Sequence, residues 1–267
     1  PDSYFQDGQQ LAAEGKYVRA IDSYQQAIST DPTNPAIYIE MARLQIYLGQ
    51  YAEAAETASN AILINSQNSM AHAIKGWALG LSGNYLEGQG SLTEALDLDP
   101  NNAFAYAYLA EILVFYEQSG SALVGTLDRA IEASRTAERL SPNSLETLRA
   151  RGYVLEQTQN TEEAIEKFRA AIAINPNIAE MHIALGRNLL ALGRFTGDPA
   201  YYSEAIDEFN LAATLTPEDP LPLVYISRAN AAVGEYARAI QFAERALELA
   251  PGDAFYYGNL GTMYYRN

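Results

Sequence analysis

Stacked antiparallel helix pairs, an all-α solenoid, are what this 267-residue sequence predicts. Three observations carry that prediction. Proline returns at Pro32, Pro100, Pro142, Pro176, Pro217 and Pro251, with Ser66 in the remaining slot, so the spacings run 34, 34, 42, 34, 41 and 34. A fixed period of this size marks a repeat array, and the two long intervals mark insertions. Small residues form columns in the same register. With the proline counted as position 32, positions 8, 20 and 27 together hold 22 residues, and all but Ser227 are Gly or Ala. Small side chains at fixed points let helix axes approach to ~8–10 Å. Apolar residues also recur at three- and four-residue spacing, as in Ile21, Tyr24, Ala27 and Ile28, which is the helical period.

Each unit therefore reads as helix A, a glycine turn, helix B and a proline-marked turn. Gly15, Gly49, Gly83, Gly193 and Gly234 stand at position 15, where a left-handed residue ends helix A. Proline ends helix B, because it lacks an N–H and keeps the residue before it out of α geometry. Position 17 carries Tyr17, Tyr51, Tyr85, Tyr202 and Tyr236. Position 24 carries Tyr24, Leu92, Phe168 and Phe209, with Ala58, Ser134 and Ala243 departing from the pattern. In order, the units are 1–34, 35–68, 69–102, 103–144, 145–178, 179–219 and 220–253, and a lone helix follows at 254–267. The fourth is lengthened around 117–124 and the sixth around 196–202, both between helix A and helix B. Such an insertion predicts either an extra turn on each flanking helix or a docking protrusion, and Tyr201 and Tyr202 make the second insertion the better candidate for docking. One hairpin cannot bury both of its faces, whereas stacked neighbours can, so the chain predicts a single solenoid domain.

Composition narrows the chemistry. Acids outnumber bases 33 to 17, for a net charge of −16. That argues against nucleic acid and against anionic membrane surfaces, both of which are held by Lys and Arg. No run of ~18 apolar residues is present to insert into a bilayer. The absence of cysteine removes disulfides, thiolate metal sites and cysteine nucleophiles. His72 and His182 lie three repeats apart at position 4 of a helix A, which reads as packing rather than a ligand pair. Glu162-Glu163 and Asp207-Glu208 read as solvated helix faces, and Gly88-Gln89-Gly90 lacks the strand and lysine of a phosphate loop. No catalytic residue, metal, cofactor or small-molecule substrate is expected, and the chain reads as a non-enzyme. It begins Pro1-Asp2-Ser3-Tyr4 without methionine, which suggests a processed or excised piece. The compartment is not set, although zero cysteine, 3 Lys and 19 Tyr lean towards an extracellular or cell-surface setting over a cytoplasmic one.

The register resembles the tetratricopeptide repeat (TPR) family over the whole chain. Residues 1–34 match best, with Tyr4, Gly8, Gly15, Tyr17, Ala20, Tyr24, Ala27 and Pro32 all in place. The resemblance implies a right-handed superhelix whose concave groove is lined by helix A, chiefly at positions 2, 5, 9, 12 and 13. Partner-binding candidates in that groove are Arg43, Tyr47, Trp77, Leu81, Phe104, Tyr108, Glu111 and Phe115, followed by Arg149, Tyr153, Arg187 and Arg228. Aromatic and Arg residues are the types that dominate interface energetics. The subset of the family that clamps a peptide's terminal carboxylate keeps Lys at position 5 and Asn at position 9 of the first repeat. Here Phe5 and Gln9 stand there, so a chaperone-tail adaptor is not expected.

Solenoids normally finish in a helix with a polar outer face. The last helix instead carries Tyr256, Tyr257, Leu260, Met263, Tyr264 and Tyr265, with Tyr256, Leu260, Met263 and Tyr264 expected to face an absent partner. Tyr4 and Phe5 at the other end likewise have no preceding repeat. The favoured reading is a scaffold that associates end to end with copies of itself, as a filament or tube. The alternative is a monomeric adaptor that takes a peptide or helix of another protein in the groove. A second helix beyond Asn267 would remove the first reading.

Overall fold

The computed structural model describes residues 2–266. Fifteen helices follow one another with no strand among the described residues. They are α1 (Asp2–Ala13), α2 (Tyr17–Thr30), α3 (Pro35–Tyr47), α4 (Tyr51–Ile64), α5 (Ser69–Leu81), α6 (Tyr85–Leu98), α7 (Ala103–Gln118) and α8 (Thr126–Leu140). Then come α9 (Leu145–Gln157), α10 (Thr161–Ile174), α11 (Ala179–Thr196), α12 (Pro199–Leu215), α13 (Leu221–Ala232), α14 (Tyr236–Leu249) and α15 (Ala254–Arg266). The odd-numbered helices are the expected A helices and the even-numbered ones the B helices.

The chain divides into two compact units, residues 1–154 and 155–267. In unit 1, from α1 to α8, each A helix packs on its own B helix, α2, α4 and α6 pack on the next A helix, and α3, α5 and α7 touch in series. In unit 2 the same scheme runs from α10 to α15, with α11, α13 and α15 in series. Both are therefore α-solenoid stacks of helix pairs, the fold class the sequence predicts.

The small-residue columns lie where the helices cross. Ala20, Ala27, Ala54, Ala61, Ala130, Ala137, Ala205 and Ala212 are fully buried. Position 8 is matched to position 24 within each repeat. A Cβ on Gly8 would lie 2.4 Å from the Tyr24 ring, and one on Gly186 would lie 2.5 Å from the Phe209 ring. Where position 8 is Ala42, Ala110 or Ser227, position 24 is Ala58, Ser134 or Ala243. A large side chain at 24 thus needs glycine at 8, and the apparent departures at 24 are the other half of one packing rule. Burying a ring such as Phe209 contributes about 1.5–3 kcal/mol, which an added Cβ would put at risk by overpacking.

Caps mark the helix starts. Asn34, Asn68 and Asn102 accept backbone N–H bonds at the N-termini of α3, α5 and α7. The glycine turn holds at Gly15, Gly49, Gly83 and Gly234, all at positive φ. Repeat 5 lacks the glycine, and Gln159 takes the left-handed conformation with φ 62°. Gly193 departs from the expectation. It is buried inside α11, and the left-handed residue is Gly197.

That shift comes from the second insertion. It is absorbed as helix, giving an 18-residue α11 and a 17-residue α12, with Asp198 capping the latter. Tyr201 and Tyr202 do not project; their side chains lie within 3.3 Å of where a Cβ on Gly193 would be. The first insertion extends α7 to 16 residues and leaves a turn in which Gly120 and Gly125 have positive φ. Leu123 and Val124 are exposed there.

Candidate functional site

Because the repeats are in register, the same faces of α3, α5, α7 and α9 come side by side in unit 1. That brings together most of the groove candidates, and they turn in on one another. Trp77 stacks on Tyr108 with ring centroids 4.4 Å apart and planes within 5°. Its Nε1 donates to Glu111 Oε1 at 3.2 Å, one repeat period away. Arg149 Nε donates to the other oxygen of Glu111 at 2.9 Å, and its guanidinium carbon lies 4.2 Å from the Trp77 ring centroid. Tyr47 meets Trp77 edge-on at 6.1 Å, and Phe115 meets Tyr153 edge-on at 5.1 Å. Arg43 pairs with Glu40 at 3.3 Å, and Leu81 and Phe104 pack half-buried on the same cluster.

This face is filled by its own side chains. Trp77 and Arg149 are each 2% exposed and Glu111 is fully buried. A carboxylate at this depth is tolerated because one cation and one indole N–H meet both of its oxygens. Burial works against the Arg149 charge, and Glu111, together with Tyr47, Tyr108 and Glu146, outweighs it, so the guanidinium stays charged. Burial also pushes the Tyr108 phenol well above the usual tyrosine value, with the buried Glu146 carboxylate adding to the shift. Trp77, Tyr108, Glu111, Arg149 and Tyr153, expected to line a groove for a partner, instead form a packed polar–aromatic core, because side chains one repeat apart meet each other.

In unit 2 the corresponding face is open. Arg187 is held by Glu156, Nη2 to Oε2 at 2.9 Å. Beyond it α11, α13 and α15 surround a cavity of about 470 Å³, lined by Arg194, Arg228, Ala231, Phe255, Gly258, Asn259, Thr262, Met263 and Arg266. Arg228 Nε donates to Asn259 Oδ1 at 3.2 Å, and its guanidinium carbon lies 5.4 Å from the Phe255 ring. Asn259 is itself buried, with Nδ2 3.5 Å from Ser227 Oγ.

Of these residues only Arg228 and Met263 were site candidates. Phe255, Gly258, Thr262 and Arg266 occupy positions 2, 5, 9 and 13 of the last helix, so the register could have found them. Arg194 is different. It follows Gly193 and would fall in the A–B turn of a standard repeat. It stands on helix, and lines the cavity, because the insertion prolongs α11.

The terminal tyrosines divide. Met263 is buried and Leu260 packs with it on Ala239, Ala243 and Ile240 of α14, a correction to their expected outward aspect. The cause is helical geometry: these two residues share the stripe of α15 that faces α14. Tyr256 is half-buried against Phe255. Tyr264 donates to Glu244 at 2.7 Å, and that carboxylate raises its phenol value. Tyr257 and Tyr265 remain 55% and 93% exposed. At the other end Tyr4 is exposed, whereas Phe5 lies 5.7 Å from the Tyr24 ring.

His72 and His182 do the same structural work. Nε2 of each contacts a carbonyl six residues earlier, of Ser66 and Pro176 respectively, while Nδ1 faces a carboxylate of the following helix, Glu94 or Glu208. Glu208 is therefore not a freely solvated residue. Among the described residues no three His, Cys, Asp or Glu gather to hold a metal ion, and no helix is long and apolar enough to cross a membrane.

Comparison with known families gives matches to the tetratricopeptide repeat over residues 11–78, 124–177 and 149–220. The chain belongs to the tetratricopeptide repeat family. Among curated relatives, the small glutamine-rich tetratricopeptide repeat-containing protein 2 of Mycosarcoma maydis is 31% identical over 101 residues, covering 35% of this chain and 29% of that protein. An Hsp70-Hsp90 organising protein of Plasmodium falciparum is 26% identical over 125 residues, 47% of this chain and 50% of that one. The chain thus spans half or less of these relatives. Among solved structures, the APC/C hetero-tetramer Cut9-Hcn1 aligns over 98% of this TPR chain and 49% of its own, with TM-score 0.72 and 17% identity, a likeness of fold.

Proposed function

We propose that this TPR chain is a non-catalytic protein-interaction scaffold that receives a segment of another protein on the odd-helix face of unit 2. The observation that carries this reading is the cavity of about 470 Å³ on that face, a size in the usual range of ligand sites. The equivalent face of unit 1 is occupied by Trp77, Tyr108, Glu111 and Arg149, so the binding role falls to unit 2. The family supports a protein partner: one relative is named as an organiser of Hsp70 and Hsp90. Phe5 and Gln9 keep this chain apart from the clamp pattern in the first repeat.

The chain has no cysteine, so one label can be placed at will. A Thr262→Cys variant carrying an environment-sensitive fluorophore is to be screened against a displayed library of random peptides. Binders that shift the label saturably support the reading. A screen whose binders all leave it unmoved ends it.

End-to-end self-association remains a second reading, supported by the exposure of Tyr257 and Tyr265 on α15 and Tyr4 on α1. Its test is light scattering against concentration. The mass should rise, and should return to that of a monomer when Tyr257→Asp and Tyr265→Asp are combined; a constant monomer mass in the wild type ends it.

A further inference from the structure

We propose that the unit 2 cavity is an anion site that takes the carboxylates of an acidic peptide segment, with Arg194, Arg228 and Arg266 as its cationic contacts. This rests on the scaffold reading and specifies its partner. The first support is charge. The chain carries 14 Arg and 3 Lys against 33 acids, yet three of those arginines line one cavity and no Asp or Glu does. Five of the other eleven arginines meet the protein's own carboxylates: Arg43 with Glu40, Arg149 with Glu111, Arg151 with Glu138, Arg169 with Glu204 and Arg187 with Glu156. Among the described residues, no carboxylate lies within ion-pair distance of the three that line the cavity.

Pre-organisation is the second support. Arg228 is fixed through Nε by the buried Asn259 and lies near the Phe255 and Tyr225 rings, which leaves its two terminal nitrogens for a carboxylate. A guanidinium already held in place loses little freedom on binding. Phe255, half-exposed at the rim, offers apolar contact to a neighbouring side chain of the segment. The third support is the insertion. It is the extra turn of α11 that carries Arg194 to the cavity, so the lengthening of this repeat has a local consequence for recognition. A polyphosphate would meet the same arginines, but each further phosphate would face a chain of net charge −16. A peptide with two or three carboxylates satisfies the cavity without extending that repulsion.

The test uses the full chain labelled at Thr262→Cys and the peptides recovered from the random library. Those that move the label should be rich in Asp and Glu. Replacing their acids by Asn and Gln should weaken them about ten-fold or more, the scale of a lost charge-assisted bond. Arg194→Gln combined with Arg266→Gln, both exposed and so compatible with unchanged circular dichroism, should weaken them comparably. Arg228→Gln provides an independent variant. Label-shifting binders without excess acid, or with equally tight Asn/Gln versions, overturn the anionic assignment and leave the scaffold reading standing. No label-shifting binder at all overturns both. A deca-uridylate that saturates the label where acidic peptides fail overturns the peptide assignment in favour of RNA.

Discussion

The odd-helix faces of the two units are built from the same register and end in opposite states. In unit 1, Arg149 finds Glu111 and Trp77, and the face closes on itself. In unit 2, Arg228 finds a neutral amide, Arg194 and Arg266 find no carboxylate, and the face stays open. Residue type at a groove position therefore does not say whether that position binds. What decides is whether the next repeat supplies a partner of opposite charge at the same height.

The largest expected effect breaks the filled face. Arg149→Met leaves Glu111 buried without its cation and should cost about 3–5 kcal/mol, read as a fall in the urea midpoint. Arg228→Met, on the open face, breaks only a hydrogen bond to the neutral amide of the buried Asn259 and should cost about 1–2 kcal/mol. Equal losses would end the contrast between the units.

Next in size is Gly186→Ala, which drives a Cβ into the Phe209 ring and should cost about 1–3 kcal/mol by overpacking. Added to Phe209→Ala it should cost much less, because repeat 2 already pairs Ala42 with Ala58. A double-mutant cycle by chemical denaturation measures this, and strict additivity would sink the packing rule.

Trp77 sharpens the comparison without unfolding anything. At 2% exposure its fluorescence should be blue-shifted and resist acrylamide, and a peptide bound in unit 2 should leave it unchanged while moving a label at Thr262. Free quenching of Trp77 would mean that the unit 1 face is open after all.

The smallest effect is a pH dependence. Burial lowers the His182 value, but hydrogen bonds to Glu208 and the Pro176 carbonyl, with the Glu208 charge, more than reverse this, so it is raised. Both ring nitrogens face acceptors, at 2.6 and 2.9 Å, so the imidazolium is the favoured form. A raised folded value means stability fully present below the ordinary histidine value near 6.5 and lost as pH rises through the folded one. Glu208→Gln should flatten that slope in thermal melts across neutral pH. In unit 1 the partner Glu94 is 66% exposed, against 17% for Glu208, so Glu94→Gln should change stability little.

Much of this was legible in the residues. The alanine columns, the proline stops and most glycine turns follow from helix geometry, which a sequence states directly. The Gly8–Tyr24 and Ala42–Ala58 pairs were legible too, had positions 8 and 24 been read together rather than as separate columns. Less legible was the burial of Trp77, because hydrogen bonds between side chains one repeat apart depend on rotamers. Arg194 was hidden for another reason: its role depends on whether an insertion becomes loop or helix.

By itself, then, the sequence determined the stack of helix pairs, because periodicity, small crossing residues and turn chemistry are all local or regularly repeated. Only the tertiary structure decided which stretch of the shared face is filled and which is open. That outcome depends on long side chains meeting across neighbouring helices, where Glu111 neutralises Arg149 and nothing comparable reaches Arg194, Arg228 or Arg266.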